Sequence, residues 1–221
     1  MIRVLIADDQ VIVRAGLSIL LDSAADITVV GEAENGREAI RLTKELRPDV
    51  VCMDIRMPVM DGVAATRIIS ADATLDSEIL ILTTFDIDDD IFAALEAGAA
   101  GFLLKGADED TLLNAIRSVA QGDGTLDQRL TRRILQEFVQ RRPPTPPAGV
   151  HKPLPSPLTD REIDVLQLLA QGLSNAEIAK QLFVEQSTVK YHLTHLLEKT
   201  GSRDRLQIVL WGIRTGTVTV E

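Results

Sequence analysis

The chain has 221 residues, 45% of them apolar and only 3% aromatic, with a formal net charge of −10. This length supports one or two domains, each able to bury its own core, and the absence of any run of 18 or more apolar residues excludes a helical membrane span. A single cysteine, Cys52, excludes an internal disulfide and a thiolate metal cluster and fits a reducing compartment. The first nine residues lack the long apolar stretch and small-residue cleavage site of a signal peptide, so a cytoplasmic protein is expected.

In chain order, strand-like apolar runs cover Arg3–Ala7, Thr28–Val30, Val50–Met53, Glu78–Leu82 and Gly101–Leu104. Helix-like segments follow each of them: Val11–Asp22, Gly36–Leu46, Asp61–Ala71, Asp88–Ala97 and Asp108–Gln121. Asn35 reads as a cap, and Gly98 and Gly122 as stops. Five β-then-α units imply a doubly wound, five-stranded parallel sheet with helices on both faces. Residues 127–140 carry a further helical period, Leu130, Ile134, Leu135 and Phe138, and seven of the nine prolines crowd residues 141–157. No packed element suits that composition, so it reads as a polyproline-like tether.

Leu158–Glu221 is helical throughout. Thr159 with Glu162, and Ser174 with Glu177, form two capping boxes. Ile163, Leu166, Leu169 and Ala170 are expected to line the inner face of the first helix, and further helices are expected over about Gln186–Lys199 and Arg203–Arg214. Charge divides unevenly along the chain. Residues 1–125 hold 10 basic and 23 acidic residues, whereas residues 155–221 hold 7 and 8. Nucleic-acid binding by the C-terminal part therefore cannot rest on a strong overall field.

Carboxylates mark the strand ends. Asp8 and Asp9 follow the first strand and Asp54 ends the third, and in a doubly wound sheet these strands are neighbours at the point where strand order reverses. Three converging acids are unfavourable unless a cation joins them, and an oxygen-only ligand set suits Mg²⁺. Thr83 and Lys105 end the fourth and fifth strands and offer a hydroxyl and an ammonium. Together the set can hold a metal and a phosphoryl group, with Asp54 as nucleophile.

Asp8-Asp9, Met53-Asp54-Ile55-Arg56-Met57-Pro58 with Asp61-Gly62, Thr83 and Phe102-Leu103-Leu104-Lys105 resemble the receiver domain of bacterial two-component response regulators, a flavodoxin-like fold. The resemblance implies that Asp54 accepts phosphate from a sensor histidine kinase. It implies that Asp9, Asp54 and the main-chain carbonyl of Arg56 ligate Mg²⁺, with Asp8 acting through a metal-bound water. Thr83 and Lys105 would bind phosphoryl oxygens, and Phe102 would be the aromatic whose orientation reports phosphorylation. Gln10 stands where the family often has histidine.

In the C-terminal part, Glu177–Leu182, a turn and Thr188–Leu193 read as helix-turn-helix. Val189, Leu193, Leu196 and Leu197 share one face of the later helix, and Ser187, Lys190, Tyr191 and Thr194 share a polar face suited to the major groove. With Leu158–Ile163 and Gly172–Ala179, this pattern resembles the LuxR-type DNA-binding domain, and the whole chain resembles the NarL/FixJ group of response regulators. The resemblance makes Lys190 and Tyr191 the foremost DNA-contacting residues of that face and the last helix the dimer contact on double-stranded DNA. Two positions depart from the pattern: Glu185 replaces a capping Ser or Thr, and Thr194 stands where relatives are often basic.

The expectation is therefore a receiver over residues 1–121, a linker over 122–157 and a LuxR-type helix-turn-helix domain over 158–221. Phosphorylation of Asp54 would control homodimerisation and sequence-specific DNA binding, with Mg²⁺ as cofactor and no membrane partner. The alternative is a phosphorylation-independent regulator that keeps the receiver only for dimerisation. An enzyme is not expected: a phosphatase with an Asp nucleophile needs a second acid two residues later, where Arg56 stands, and no G-x-G-x-x-G follows the first strand.

Overall fold

The computed structural model describes residues 1–83, 89–122, 125–126 and 157–218. The chain divides into two compact units, Met1–Thr125 and Leu126–Glu221, and each is described by itself.

In the first unit the apolar runs become strands because helices cover both faces of the sheet. The order is β1 (Ile2–Ala7), α1 (Val11–Asp22), β2 (Ile27–Ala33), α2 (Gly36–Leu46), β3 (Val50–Asp54), α3 (Gly62–Ala71), β4 (Glu78–Thr83), α4 (Asp89–Ala97), β5 (Gly101–Leu104) and α5 (Glu109–Ala120). A two-residue strand, β6 (Thr125–Leu126), completes the sheet order β2-β1-β3-β4-β5-β6. The pairings of β1 with β2 and β3, of β3 with β4 and of β4 with β5 are all parallel. All five residues of β3 are buried, as a central strand requires. One face of the sheet packs Val4, Ile6, Val50, Cys52, Leu80 and Leu82 against Leu21 of α1 and Leu112, Ile116 and Val119 of α5.

Register sets the functional edge. Ala7 lies beside Met53, Asp54 beside Leu82 and Thr83 beside Leu104. The residues that leave these strands therefore emerge together at one end of the sheet. Because β1 has β2 on one side and β3 on the other, that end is the switch point of the fold.

Several boundaries differ from the sequence reading. The second strand runs on through Gly31-Glu32-Ala33, because an edge strand is half-exposed and need not end where its apolar run ends. Asp61 and Asp108 stand just outside their helices as N-caps, accepting from the N–H groups of Ala64 and Thr111 at 2.7 and 2.8 Å. The sixth strand was not expected. The expected helix over residues 127–140 and most of the proline tether lie outside the described residues.

The second unit contains α6 (Asp160–Ala170), α7 (Asn175–Leu182), α8 (Gln186–Thr200) and α9 (Arg205–Thr215). Both capping boxes form, at Thr159–Glu162 and at Ser174–Glu177. Val165, Leu166, Leu169, Ile178, Val189, Leu193, Leu196, Leu206 and Leu210 build the core. Ile163 is not part of it; Val165 takes the inward position and Ile163 faces solvent. The last helix begins two residues later than its apolar pattern suggests, capped by Asp204, whose carboxylate accepts from the N–H of Gln207 at 2.9 Å.

Candidate functional site

Asp8 is fully buried although the chain has just left β1. Its N–H donates to the Ala33 carbonyl at 3.1 Å, its Oδ1 accepts from the N–H of Gln10 at 2.9 Å, and its Oδ2 faces the Lys105 ammonium at 2.7 Å. The same ammonium lies 2.8 Å from Oδ1 of Asp54, which closes β3 and is 7% exposed. Asp9 is exposed. Carboxylate oxygens of Asp8, Asp9 and Asp54 all lie within 4.8 Å of one another. Four of the residues singled out from sequence thus converge on one point, carried there by β1, β3 and β5.

The electrostatics follow from burial and crowding. Burial pushes the Asp54 carboxyl above its ordinary pKa, and Asp8 adds to this, while Lys105 opposes both. Burial alone would lower the Lys105 ammonium, but its bonds to Asp54 and Asp8 outweigh that and hold its pKa above the ordinary value. Three carboxylates against one ammonium leave the cluster electron-rich, and all its donors are hard oxygens. That donor set fits Mg²⁺ and does not suit a softer metal. Cys52, two residues before Asp54, is no competing nucleophile, because burial pushes its thiol up to about 12.

Thr83 is 7% exposed at the end of β4, and its carbonyl accepts from the N–H of Lys105 at 2.6 Å. The last residue of β4 and the lysine after β5 are therefore tied by main chain. Phe102 is fully buried in β5, in register with Ile81. Arg56, two residues after Asp54, is exposed and reaches Asp90 in the first turn of α4, Nε to Oδ2 at 3.3 Å. The loop that carries Arg56 is closed by the N–H of Gly62 donating to the Ile55 carbonyl at 2.8 Å. Val59, at its tip, has a left-handed φ of 67°.

Sequence reasoning missed Arg14. This α1 residue is 6% exposed and donates to the main-chain carbonyl of Asp8. A lone arginine in an amphipathic helix gives no sign of a partner six residues earlier or on another strand.

In the second unit, Ser187, Lys190, Tyr191 and Thr194 are all exposed on α8, while Val189, Leu193 and Leu196 face the core. Tyr191 is 61% exposed, and its ring meets His195 edge-on with centroids 4.4 Å apart. Glu185 occupies the N-cap of α8 with suitable extended backbone, but its side chain makes no cap hydrogen bond. Glu162 is buried beneath Lys199, Nζ to Oε2 at 2.8 Å. Burial raises its carboxyl, but Lys199 and the Thr159 N–H outweigh this, leaving it below its ordinary value.

Comparison with known proteins agrees with both units. The response regulator receiver domain family matches residues 4–117, and the family of bacterial regulatory proteins of luxR type matches residues 156–211. The transcriptional regulatory protein LnrK of Bacillus subtilis (strain 168) is 42% identical over 218 residues, covering 98% of each chain. The transcriptional regulatory protein YxjL of the same organism is 40% identical over 217 residues, covering 98% of this chain and 97% of its own. Among solved structures, the response regulator ChrA of a heme-sensing two-component system is 40% identical, covers 98% of both chains and superposes with a TM-score of 0.53. Because each of these relatives aligns over nearly the whole chain and a family model matches each unit, the chain belongs to the two-component response regulators that join a receiver domain to a LuxR-type DNA-binding domain, and it is a transcription regulator.

Proposed function

We propose that Asp54 is the phosphoacceptor and that its phosphorylation controls dimerisation and DNA binding. The observation that supports this most is the Lys105 ammonium bridging Asp8 and Asp54 inside a cluster of three carboxylates. A buried carboxylate at a strand end, with a lysine already on its oxygen, is placed to take a phosphoryl group from a sensor histidine kinase. Asp9, Asp54 and the Arg56 carbonyl would hold Mg²⁺, and Asp8 would act through a water on it. When bound, Mg²⁺ supplies charge neutralisation to the transferred group.

The chain's own residues do the rest. One oxygen of Asp54 attacks phosphorus and becomes the bridging oxygen of an acyl phosphate, and the kinase's imidazole nitrogen keeps the electron pair of the broken P–N bond. Lys105 pairs with a phosphoryl oxygen and Thr83 donates its hydroxyl to another. Because the Lys105 N–H is bonded to the Thr83 carbonyl, movement of either residue is felt by the other. Phe102 repacks in the space beside β4, and the altered surface pairs two copies of the chain. The kinase carries the regulated enzymology.

The domain limits follow from the same reading: a receiver over 1–121, a linker over 122–157 and a DNA-binding domain over 158–221. Ser187, Lys190, Tyr191 and Thr194 on α8 would face the major groove. No described helix is long and apolar enough to cross a membrane, and we place the protein in the cytoplasm. A small phosphodonor such as acetyl phosphate, with Mg²⁺, should produce a slower band on a phosphate-affinity gel and a dimer by light scattering. Asp54→Asn should abolish both. A dimer that forms equally well without phosphodonor and in Asp54→Asn would favour the receiver as a phosphorylation-independent dimerisation domain.

A further inference from the structure

We infer that Arg14 is a positioning residue for the acid cluster, fixing the Asp8–Asp9 peptide so that both carboxylates face the metal. The inference rests on the Mg²⁺ reading above and adds a residue outside that ligand set.

The geometry is a clamp. The Asp8 N–H is fixed on the Ala33 carbonyl at 3.1 Å, and the Asp8 carbonyl accepts from Nη1 of Arg14 at 2.7 Å. Both ends of Asp8's main chain are thereby held, and Oδ1 is held by the Gln10 N–H. Only Oδ2 is directed at Lys105. The carbonyl that Arg14 grips belongs to the peptide joining Asp8 to Asp9, so its orientation sets the direction in which Asp9 leaves the chain.

Arg14 is itself anchored. Its Nε lies 3.1 Å from Oε2 of Glu32 and its Nη2 3.4 Å from Oε1 of Glu34. Glu32 and Glu34 flank Ala33, the residue that holds the Asp8 N–H. One buried guanidinium thus ties the turn after β1 to the end of β2 from the side away from Lys105's strand. Arginine suits the task because its planar fork serves three acceptors in fixed directions, which a lysine point charge does not. Its hydrogen bond goes to the Asp8 main chain, not to a cluster carboxylate, so the clamp acts through geometry. Groups that orient metal ligands from behind typically change metal affinity 10–100-fold when removed.

The test is a calorimetric Mg²⁺ titration of the full chain, well below its melting temperature in EDTA, with thermal melts run alongside. Arg14→Gln should weaken Mg²⁺ binding by about tenfold while the melt stays cooperative. Arg14→Lys should remain weak, since it restores charge without the fork. Leu21→Ala, which opens the core beneath the same helix, should lower the melt and leave Mg²⁺ affinity unchanged. Wild-type affinity in Arg14→Gln would overturn the inference, and so would full restoration by lysine or an equal loss in Leu21→Ala. If Arg14→Gln does not fold, Glu32→Gln is titrated instead: weaker binding supports the clamp and unchanged binding overturns it. A wild-type chain that takes up no Mg²⁺ would overturn the metal reading itself, and the clamp with it.

Discussion

The α-carbon of Gly62 faces the main-chain carbonyl of Asp54 so closely that a β-carbon there would lie 1.9 Å from the oxygen. It would also lie 2.9 Å from the Asp54 carbonyl carbon and 3.1 Å from the Ile55 α-carbon. The obstacle is backbone, which cannot swing aside as a flexible side chain does. The first residue of α3 must therefore be glycine for the helix to start where it does, against the peptide of Asp54, the proposed phosphoacceptor. Gly62→Ala should destabilise the receiver by about 3 kcal/mol, the upper end for overpacking. It should also slow labelling by acetyl phosphate, read at a temperature where the variant is still folded by circular dichroism.

Val59 carries the opposite kind of strain. It is β-branched, 75% exposed and held at a φ of 67°, a conformation that L-residues with branched side chains avoid. Glycine there relieves about 1–3 kcal/mol of backbone strain and gives back roughly 1 kcal/mol through the freer unfolded chain. Val59→Gly should thus stabilise the receiver by about 1 kcal/mol, measured by urea unfolding. A loss of stability would mean that the valine side chain contributes packing that its exposure does not suggest.

Glu185 caps α8 without a side-chain bond, at the end of the helix nearest Ser187. Glu185→Ser adds a cap and should stabilise the DNA-binding domain by about 1 kcal/mol. It also removes a negative charge from the face proposed to meet phosphates. DNA binding should tighten severalfold at low salt, and the gain should shrink as salt is raised, because screening acts on exposed charge. Gel-shift titrations at two ionic strengths separate the capping effect, which salt does not remove, from the charge effect.

Asp204 is 1% exposed, and burial pushes its carboxyl up to about 6 despite its bonds to the N–H groups of Gln207 and Leu206. Its folded-state value lies above its unfolded one. The stability it contributes is therefore complete below pH 3.8, falls as pH rises, and is gone above about 6. Asp204→Asn keeps a good N-cap and removes the buried charge. It should raise the melting temperature of the DNA-binding domain most above pH 6, and the gain should fade as pH is lowered towards 4. The chain's single tryptophan, Trp211 in α9, reports this unfolding by fluorescence.

The parts of this architecture that announce themselves in sequence are those with a local cause. β3 reads as a strand because burial on both faces demands five apolar or strand-closing residues in a row, and the capping boxes at Thr159 and Ser174 read as helix starts because each is complete within four residues. The convergence of Asp8, Asp54 and Lys105 was legible only because strand order follows from the β–α alternation. The rest depends on distant pairings. Arg14 gives no local sign of Glu32 or Glu34, and the burial of Asp204 depends on how α9 packs on the other helices. Ile163 was misplaced because an apolar residue at helical spacing can lie at either edge of a buried stripe, and Val165 won the inner place. Gly62 was visible as a motif residue, but the carbonyl it must admit was not.

Lys199 has one more consequence. Its ammonium serves Glu162 and also donates to the carbonyl of Pro157 at 3.2 Å. Lys199 sits in the last turn of α8, the helix that carries Lys190 and Tyr191. Pro157, just before α6, is thus tied to the last turn of α8, the helix proposed to face DNA. A change in where the chain enters at residue 157 would therefore be felt at Lys199, on the same helix as the side chains proposed to face DNA.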